Sequence, residues 1–219
     1  QMVSRHLKGL VATHGAEIVL ANAENAAGGF GITPSVGEEL FRLGIDLLTS
    51  GNHVWDKKEA EGYLAKESRM LRPANYPEEA AGVGVNILRK SGRLLGVLNV
   101  QGRAFLPSID CPFKTVDREL VQLRQVTDTI LVDFHGEATA EKLAFGWYLD
   151  GRVSAVIGTH THVQTADEQI LPRRTAYITD VGMTGPSHSV IGIKPQDAIQ
   201  RFLTQIPRKF TLAHGPAQL

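Results

Sequence analysis

A short segment, Gly158-Thr159-His160-Thr161-His162, sets the interpretation of the whole chain. It follows Val153-Ser154-Ala155-Val156-Ile157, an apolar run with the length and composition of a buried β-strand. Because side chains two residues apart share one face of an extended backbone, we expect His160 and His162 to point the same way. Two imidazoles so placed suit one shared metal or two neighbouring metals. The alternative is a pair of hydrogen-bonded histidines in an ordinary loop.

Three other predicted strands also end in residues that can bind metals. Residues 17–21 run into Asn22-Ala23-Glu24-Asn25, residues 45–50 into Gly51-Asn52-His53, and residues 129–134 into His135. Each segment alone is also explained by a polar turn. Asp133 shares a face with His135, so it either orients that imidazole or caps a turn.

Helical patterns alternate with these strands. We predict helices at residues 2–13, 34–43, 56–68, 116–126, 139–148 and 195–206, and a hairpin formed by residues 83–88 and 94–100. This order predicts an α/β protein with a largely parallel sheet and helices on both faces. Ligands of such sheets bind at the carboxyl ends of the strands. We therefore expect one cluster of side chains at that edge: Glu24, Asn25, Asn52, His135, His160 and His162.

The composition of this cluster indicates the type of metal. It holds one carboxylate, two neutral amides and three imidazoles. Calcium and magnesium prefer sets of oxygen ligands, whereas imidazole suits iron, manganese and zinc. The mixture predicts divalent metals of the second kind.

Composition and charge exclude several classes of protein. Lys and Arg total 23 and so do Asp and Glu, and no basic block stands out, which argues against stable nucleic-acid binding. The single cysteine, Cys111, excludes an internal disulfide and favours a reducing compartment. We find no apolar run of membrane-spanning length and no signal-peptide pattern, so we expect a cytoplasmic protein without membrane attachment.

Five motifs together resemble the YmdB-like family of calcineurin-type metallophosphoesterases. They are residues 23–31 (AENAAGGFG), 51–53 (GNH), 133–135 (DFH), 158–162 (GTHTH) and 179–186 (TDVGMTGP), in the family's order along nearly the whole chain. The resemblance implies a four-layer α/β sandwich and a dinuclear centre, usually of iron or manganese. It also implies hydrolysis of small phosphodiesters, typically 2′,3′-cyclic nucleotides. A homo-oligomer is left open.

The same resemblance implies a role for each motif residue. Glu24 would bridge two metals, with Asn25 and His162 on the first metal. Asn52, His135 and His160 would hold the second. His53 would not be a ligand but the acid that protonates the leaving oxygen, since a departing alkoxide needs a proton.

One departure from the family pattern is expected to matter. The family begins with a strand ending in Gly-Asp, whose aspartate binds the first metal, and residue 1 here corresponds to the helix after that strand. We therefore expect residues 1–219 to form a single domain that is incomplete at both ends and lacks its first strand. The first metal would lack one aspartate ligand, so we expect closer to one metal than two, low solubility and weak activity.

Two other classes of function are weighed against the phosphodiesterase. One is an inactive or weakly active remnant that keeps the fold and one metal and serves as a binding or regulatory module. The other is a metal-dependent amidohydrolase, which would normally have an early His-x-His and a bridging lysine that we do not find.

Overall fold

Helices and strands alternate along residues 2–219, which are the residues described by the computed structural model. The helices are α1 (Met2–His14), α2 (Pro34–Arg42), α3 (Ala60–Leu64), α4 (Pro112–Leu123), α5 (Thr139–Leu149) and α6 (Pro195–Thr204). The strands are β1 (Leu20–Asn22), β2 (Leu47–Thr49), β3 (Val85–Lys90), β4 (Arg93–Gln101), β5 (Ile130–His135), β6 (Ala155–Thr159), β7 (Gln169–Ile170), β8 (Ala176–Ile178), β9 (Gly185–Pro186) and β10 (Ala217–Gln218).

The larger sheet brings three strand ends to the same level. Its order is β3-β4-β5-β6-β8-β7, with β4, β5, β6 and β8 parallel and the two edge strands antiparallel to their neighbours. Gln101 pairs with His135, and His135 pairs with Thr159. The carboxyl ends of β4, β5 and β6 therefore lie side by side, and His160 follows directly next to His135.

The smaller sheet carries the first two motifs. β1 and β2 are parallel, with Asn22 opposite Thr49, and single bridges from Leu48 to Met70 and from Leu71 to Val83 extend the sheet. Glu24 and Asn52 therefore come shortly after adjacent strand ends, as His135 and His160 do in the larger sheet.

Three apolar clusters separate four layers. Helices α1, α2 and α3 pack around Leu48 on the outer face of the smaller sheet. Leu47, Leu71 and Val97 lie between the two sheets. Helices α4 and α5 cover Phe134 on the outer face of the larger sheet. Leu47 and Leu48 belong to different clusters because successive residues of a strand face opposite sides. The expected four-layer α/β sandwich is confirmed, with two stacked sheets where the alternation of elements alone suggested one.

Some predicted elements differ from the structure. The charged helix expected at residues 56–68 is only α3, and Asp56 lies in the turn before it. In α6 only Ala198 is buried, and Ile199, Phe202 and Leu203 are exposed. No helix within residues 2–219 combines the length and the apolar character needed to cross a membrane.

We expect Leu47→Ala to destabilise the contact between the sheets. Leu47 is fully buried there, and such truncations cost about 2–5 kcal/mol through lost transfer energy and the cavity left behind. Urea unfolding gives the free energy of unfolding. Val121→Ala on the exposed side of α4 is the control and should stay within about 0.5 kcal/mol of the parent. Equal effects of the two substitutions would contradict the packing described here.

Candidate metal centre

The carboxyl ends of strands from both sheets meet at one site. Glu24 and Asn25 follow β1, and Asn52 follows β2. His135 ends β5, and His160 directly follows β6. His162 lies two residues further on. The structure thus brings together all six residues that the strand-end rule selected.

Four potential ligand atoms converge around His135. Its Nε2 atom lies 3.1 Å from Glu24 Oε1, 3.1 Å from Asn52 Oδ1 and 3.0 Å from His160 Nδ1. Atoms bound to one metal at about 2.0–2.2 Å are themselves roughly 3–3.5 Å apart. The ligand atoms of Glu24, His135 and His160 all lie within 4.8 Å of one another. The spacing is that of side chains around one cation.

A second, smaller group also contacts Glu24. Asn25 Nδ2 is 3.1 Å from His162 Nε2 and 3.3 Å from Glu24 Oε1. Asn25 Oδ1 is buried and has no hydrogen-bond partner. A buried amide oxygen without a partner is costly unless a donor or a cation satisfies it. Glu24 Oε1 therefore contacts both groups of potential ligands.

The two histidines of the 158–162 segment do not point the same way. β6 ends at Thr159, and both His160 and His162 have left-handed backbones, with φ values of 105° and 66°. The expectation of an extended backbone through this segment is wrong. His160 faces His135, whereas His162 faces Asn25 and the carbonyl oxygen of Ile191. Such a backbone costs about 1–3 kcal/mol per residue, and it directs one imidazole to each group.

A buried hydrogen-bond chain determines which ring nitrogen of neutral His135 carries the proton. The Thr159 hydroxyl donates to Asp133 Oδ1 at 2.7 Å, and Thr159 Oγ1 lies 2.9 Å from His135 Nδ1. Asp133 also accepts hydrogen bonds from Thr49 and Asn22. Because the Thr159 proton is directed to Asp133, His135 Nδ1 is the donor to Thr159. Its Nε2 atom then presents a lone pair to the centre. Burial raises the pKa of Asp133, although these donors oppose the shift.

His160 is oriented in the same manner from the opposite side. Its Nε2 atom lies 2.9 Å from Glu137 Oε2, so an Nε2 proton donates to that carboxylate and leaves a lone pair on Nδ1. In the neutral forms of both rings, lone pairs of Glu24, Asn52, His135 and His160 thus face one another. This donor set fits a divalent cation.

The pKa values favour the protonation states that metals bind. Burial alone would raise the pKa of Glu24, but hydrogen bonding and charge from His135 when its ring carries both protons, with the His53 backbone N–H, lower it to about 2. Burial and the adjacent His135 lower the pKa of His160 to about 4. At neutral pH Glu24 is therefore a carboxylate and His160 a neutral imidazole, as metal binding requires.

His53 lies beside the cluster and not within it. Its backbone N–H donates to Glu24 Oε2 at 3.2 Å, its Nδ1 is 2.9 Å from Asp56 Oδ2, and the Phe30 ring meets its edge at 5.6 Å between centroids. The side chain is 34% exposed, so Nε2 is accessible to a small molecule. The sequence-based reasoning missed Asp56 and Glu137. The His-x-x-Asp spacing of His53 and Asp56 was the available signal for the first.

Comparison with known proteins identifies the family of this chain. The profile of the family described as YmdB-like protein matches residues 1–219. This chain belongs to the YmdB-like family. A Bacillus subtilis (strain 168) protein named 2′,3′-cyclic-nucleotide 2′-phosphodiesterase is 47% identical over 218 residues, which cover 100% of this chain and 83% of that protein.

Two crystal structures of similar proteins have the same architecture as this chain. A Thermus thermophilus protein described as hypothetical has a TM-score of 0.92 and 44% identity, covering 98% of this chain and 83% of that one. A Mycoplasma pneumoniae protein described as a novel phosphatase has a TM-score of 0.91 and 33% identity, covering 99% and 79%. The predicted family and the metallophosphoesterase type of fold are confirmed.

Gly51→Ala should disturb the centre because the chain leaves no room for a side chain at this position. A Cβ atom on Gly51 would lie 2.1 Å from His135 Nε2, so the imidazole would have to move. We expect the affinity for Mn²⁺, measured by calorimetry, to fall about 10–100-fold, as when the groups that orient a ligand are lost. Gly62→Ala is the matched control, since nothing lies within 4 Å of its Cβ. Unchanged Mn²⁺ affinity in Gly51→Ala would show that His135 is not held where the structure has it.

Proposed function

We propose that this chain is a metal-dependent phosphodiesterase that hydrolyses small phosphodiesters, with 2′,3′-cyclic nucleotides as the substrate class. The observation that carries the proposal is the convergence of ligand atoms from Glu24, Asn52 and His160 at 3.0–3.1 Å from His135 Nε2, an arrangement that suits a bound cation. The name of the Bacillus subtilis relative and the phosphatase description of the Mycoplasma pneumoniae protein support hydrolysis of a phosphate ester.

Two metal positions follow from the grouping of the side chains. Asn52, His135 and His160 would hold one metal, and Asn25 and His162 the other. Glu24 would be shared because it lies next to both groups. Among residues 2–219 the position of Asn52, His135 and His160 has four ligands and that of Asn25 and His162 has three, with Glu24 counted in both, so we expect the four-ligand position to bind more tightly. Mixed nitrogen and oxygen ligands suit iron or manganese, and also zinc.

The bound metals and His53 would contribute different parts of the hydrolysis. Bound divalent ions would polarise a phosphoryl oxygen and lower the pKa of an attacking water. When water adds to phosphorus in a 2′,3′-cyclic nucleotide, the bond from phosphorus to O2′ breaks. O2′ is a poor leaving group unless it receives a proton. The protonated His53 would give O2′ its Nε2 proton, leaving a 3′-phosphomonoester. Asp56 holds the opposite ring nitrogen and so fixes the direction of Nε2.

The remaining expectations about the chain stay predictions. They are a single domain over residues 1–219, a cytoplasmic location and a small-molecule substrate. The balance of 23 basic and 23 acidic residues supports the last of these, because it offers no excess of positive charge to a nucleic-acid polymer.

Titration with Mn²⁺ tests the two positions. We expect the parent protein to bind one equivalent tightly and a second more weakly. His160→Ala should remove mainly the tight equivalent, and His162→Ala mainly the weak one, because each imidazole faces a different group. Calorimetry with metal analysis of the purified variants gives both numbers. If the two substitutions affect the same equivalent, the division into two positions is wrong.

His53→Gln tests the role of the acid. Turnover of 2′,3′-cyclic AMP, followed by chromatography of the nucleotide products, should fall about 10²–10⁴-fold because the leaving oxygen loses its proton donor. Mn²⁺ content should not change. His14→Gln at the end of α1 is the control and should match the parent. Loss of metal along with activity would make His53 a ligand, and metal binding without any turnover in the parent would favour a binding module.

A further inference from the structure

A buried ion pair lies behind the loop that carries His160 and His162. Lys142 Nζ, from α5, is 2.5 Å from Asp180 Oδ2, and both side chains are only 1% exposed. Neither residue belongs to the cluster of potential ligands. A buried pair loses much of its attraction to desolvation, so apolar residues of similar size would often stabilise the fold equally well. Stability of the core alone does not account for a charge pair here.

The Asp180 carboxylate also holds the backbone of two loops. Its Oδ2 atom accepts the N–H of Thr161 at 3.1 Å, and its Oδ1 atom accepts the N–H of Gly182 at 2.8 Å. Thr161 is the residue between the two histidines. An apolar side chain at position 180 would leave both N–H groups without this partner.

The backbone of Asp180 forms hydrogen bonds with Thr165, at the other end of the same loop. Its carbonyl accepts the N–H of Thr165 at 3.1 Å, and its N–H donates to Thr165 Oγ1 at 3.0 Å. The segment from Thr161 to Thr165 is thus tied to one residue at both ends. His160 and His162 flank the first tie, and their backbones are the strained ones. Strained backbone persists only where surrounding contacts determine it.

We propose that Lys142 and Asp180 are positioning residues for the metal centre, which they serve by fixing the backbone between its two loop histidines. Asp180 supplies the acceptor that holds the Thr161 N–H, and Lys142 supplies the charge that lets a carboxylate stay buried in that place. His160 and His162 then reach different groups of ligands from one rigid segment. This proposal rests on the metal-binding function proposed above.

Lys142→Met tests the pair, because methionine keeps much of the length and removes the charge. The apparent dissociation constant for Mn²⁺, measured on protein shown to be folded by circular dichroism, should rise about 10–100-fold. Asp180→Asn keeps the shape of the side chain, replaces one acceptor oxygen by a donor, and should give a rise of the same order. Leu149→Ala is the control: it removes buried volume from the same helix without touching the loop. It should lower stability and leave the dissociation constant within about twofold.

Hydrogen exchange of the Thr161 amide gives a second readout that a purely structural pair would not move. In the metal-loaded protein we expect Lys142→Met and Asp180→Asn to speed this exchange, while amides in the core strand β5 exchange as in the parent. A dissociation constant and a Thr161 exchange rate like those of Leu149→Ala would overturn the proposal. Loss of fold in both pair variants, with Leu149→Ala still folded, would assign the pair to the core and overturn it too. A parent protein that binds no Mn²⁺ would instead refute the proposed function.

Discussion

Four lone pairs that face one another are the constraint on which the rest of this structure depends. Glu24, Asn52, His135 and His160 all direct acceptor atoms into one small space. In a buried site such an arrangement is repulsive, and a bound cation would stabilise it. A proton on the inward-facing nitrogen of an imidazole would also relieve the repulsion, but at His160 burial and the neighbouring His135 oppose it by lowering the pKa to about 4. Thr159 accepts the Nδ1–H of His135 and Glu137 accepts the Nε2–H of His160, so in the neutral rings the inward-facing nitrogens carry lone pairs. The surrounding hydrogen bonds therefore hold the four side chains in an arrangement that suits a bound cation.

Two stacked sheets make this convergence geometrically simple. Glu24 and Asn52 come from the smaller sheet, and His135 and His160 from the larger one. The apolar contact around Leu47 between the sheets keeps their carboxyl edges aligned. Each sheet contributes acceptors of one kind, oxygen from the smaller and nitrogen from the larger. The mixed donor set that favours iron, manganese or zinc is thus a consequence of the layered fold.

The sequence predicted the strand ends well and the conformation beyond them poorly. Period-2 patterns and the strand-end rule selected Glu24, Asn52 and His135, because buried strands and their polar ends are local features. Those patterns do not say which sheet a strand joins, so the division into two sheets came only through the family resemblance. The left-handed backbones of His160 and His162 were missed because local propensity opposes them there. Contacts made elsewhere in the fold impose them, and these are outside the reach of a local pattern.

Three buried acids of the site region show why residue type alone does not reveal a role. A carboxylate has about four lone-pair positions. Donors fill three of them in Asp133, from two hydroxyls and an amide, and three in Asp180, from Lys142 and two backbone N–H groups. Glu24 receives only the N–H of His53 and the amide of Asn25, which leaves lone pairs directed at the imidazoles. Asp133 and Asp180, with three donors each, hold those donors in place, whereas Glu24, with fewer, keeps more lone pairs for a cation. The distinction between ligand and support therefore lies in the neighbours of each acid, which the fold assembles from distant parts of the chain.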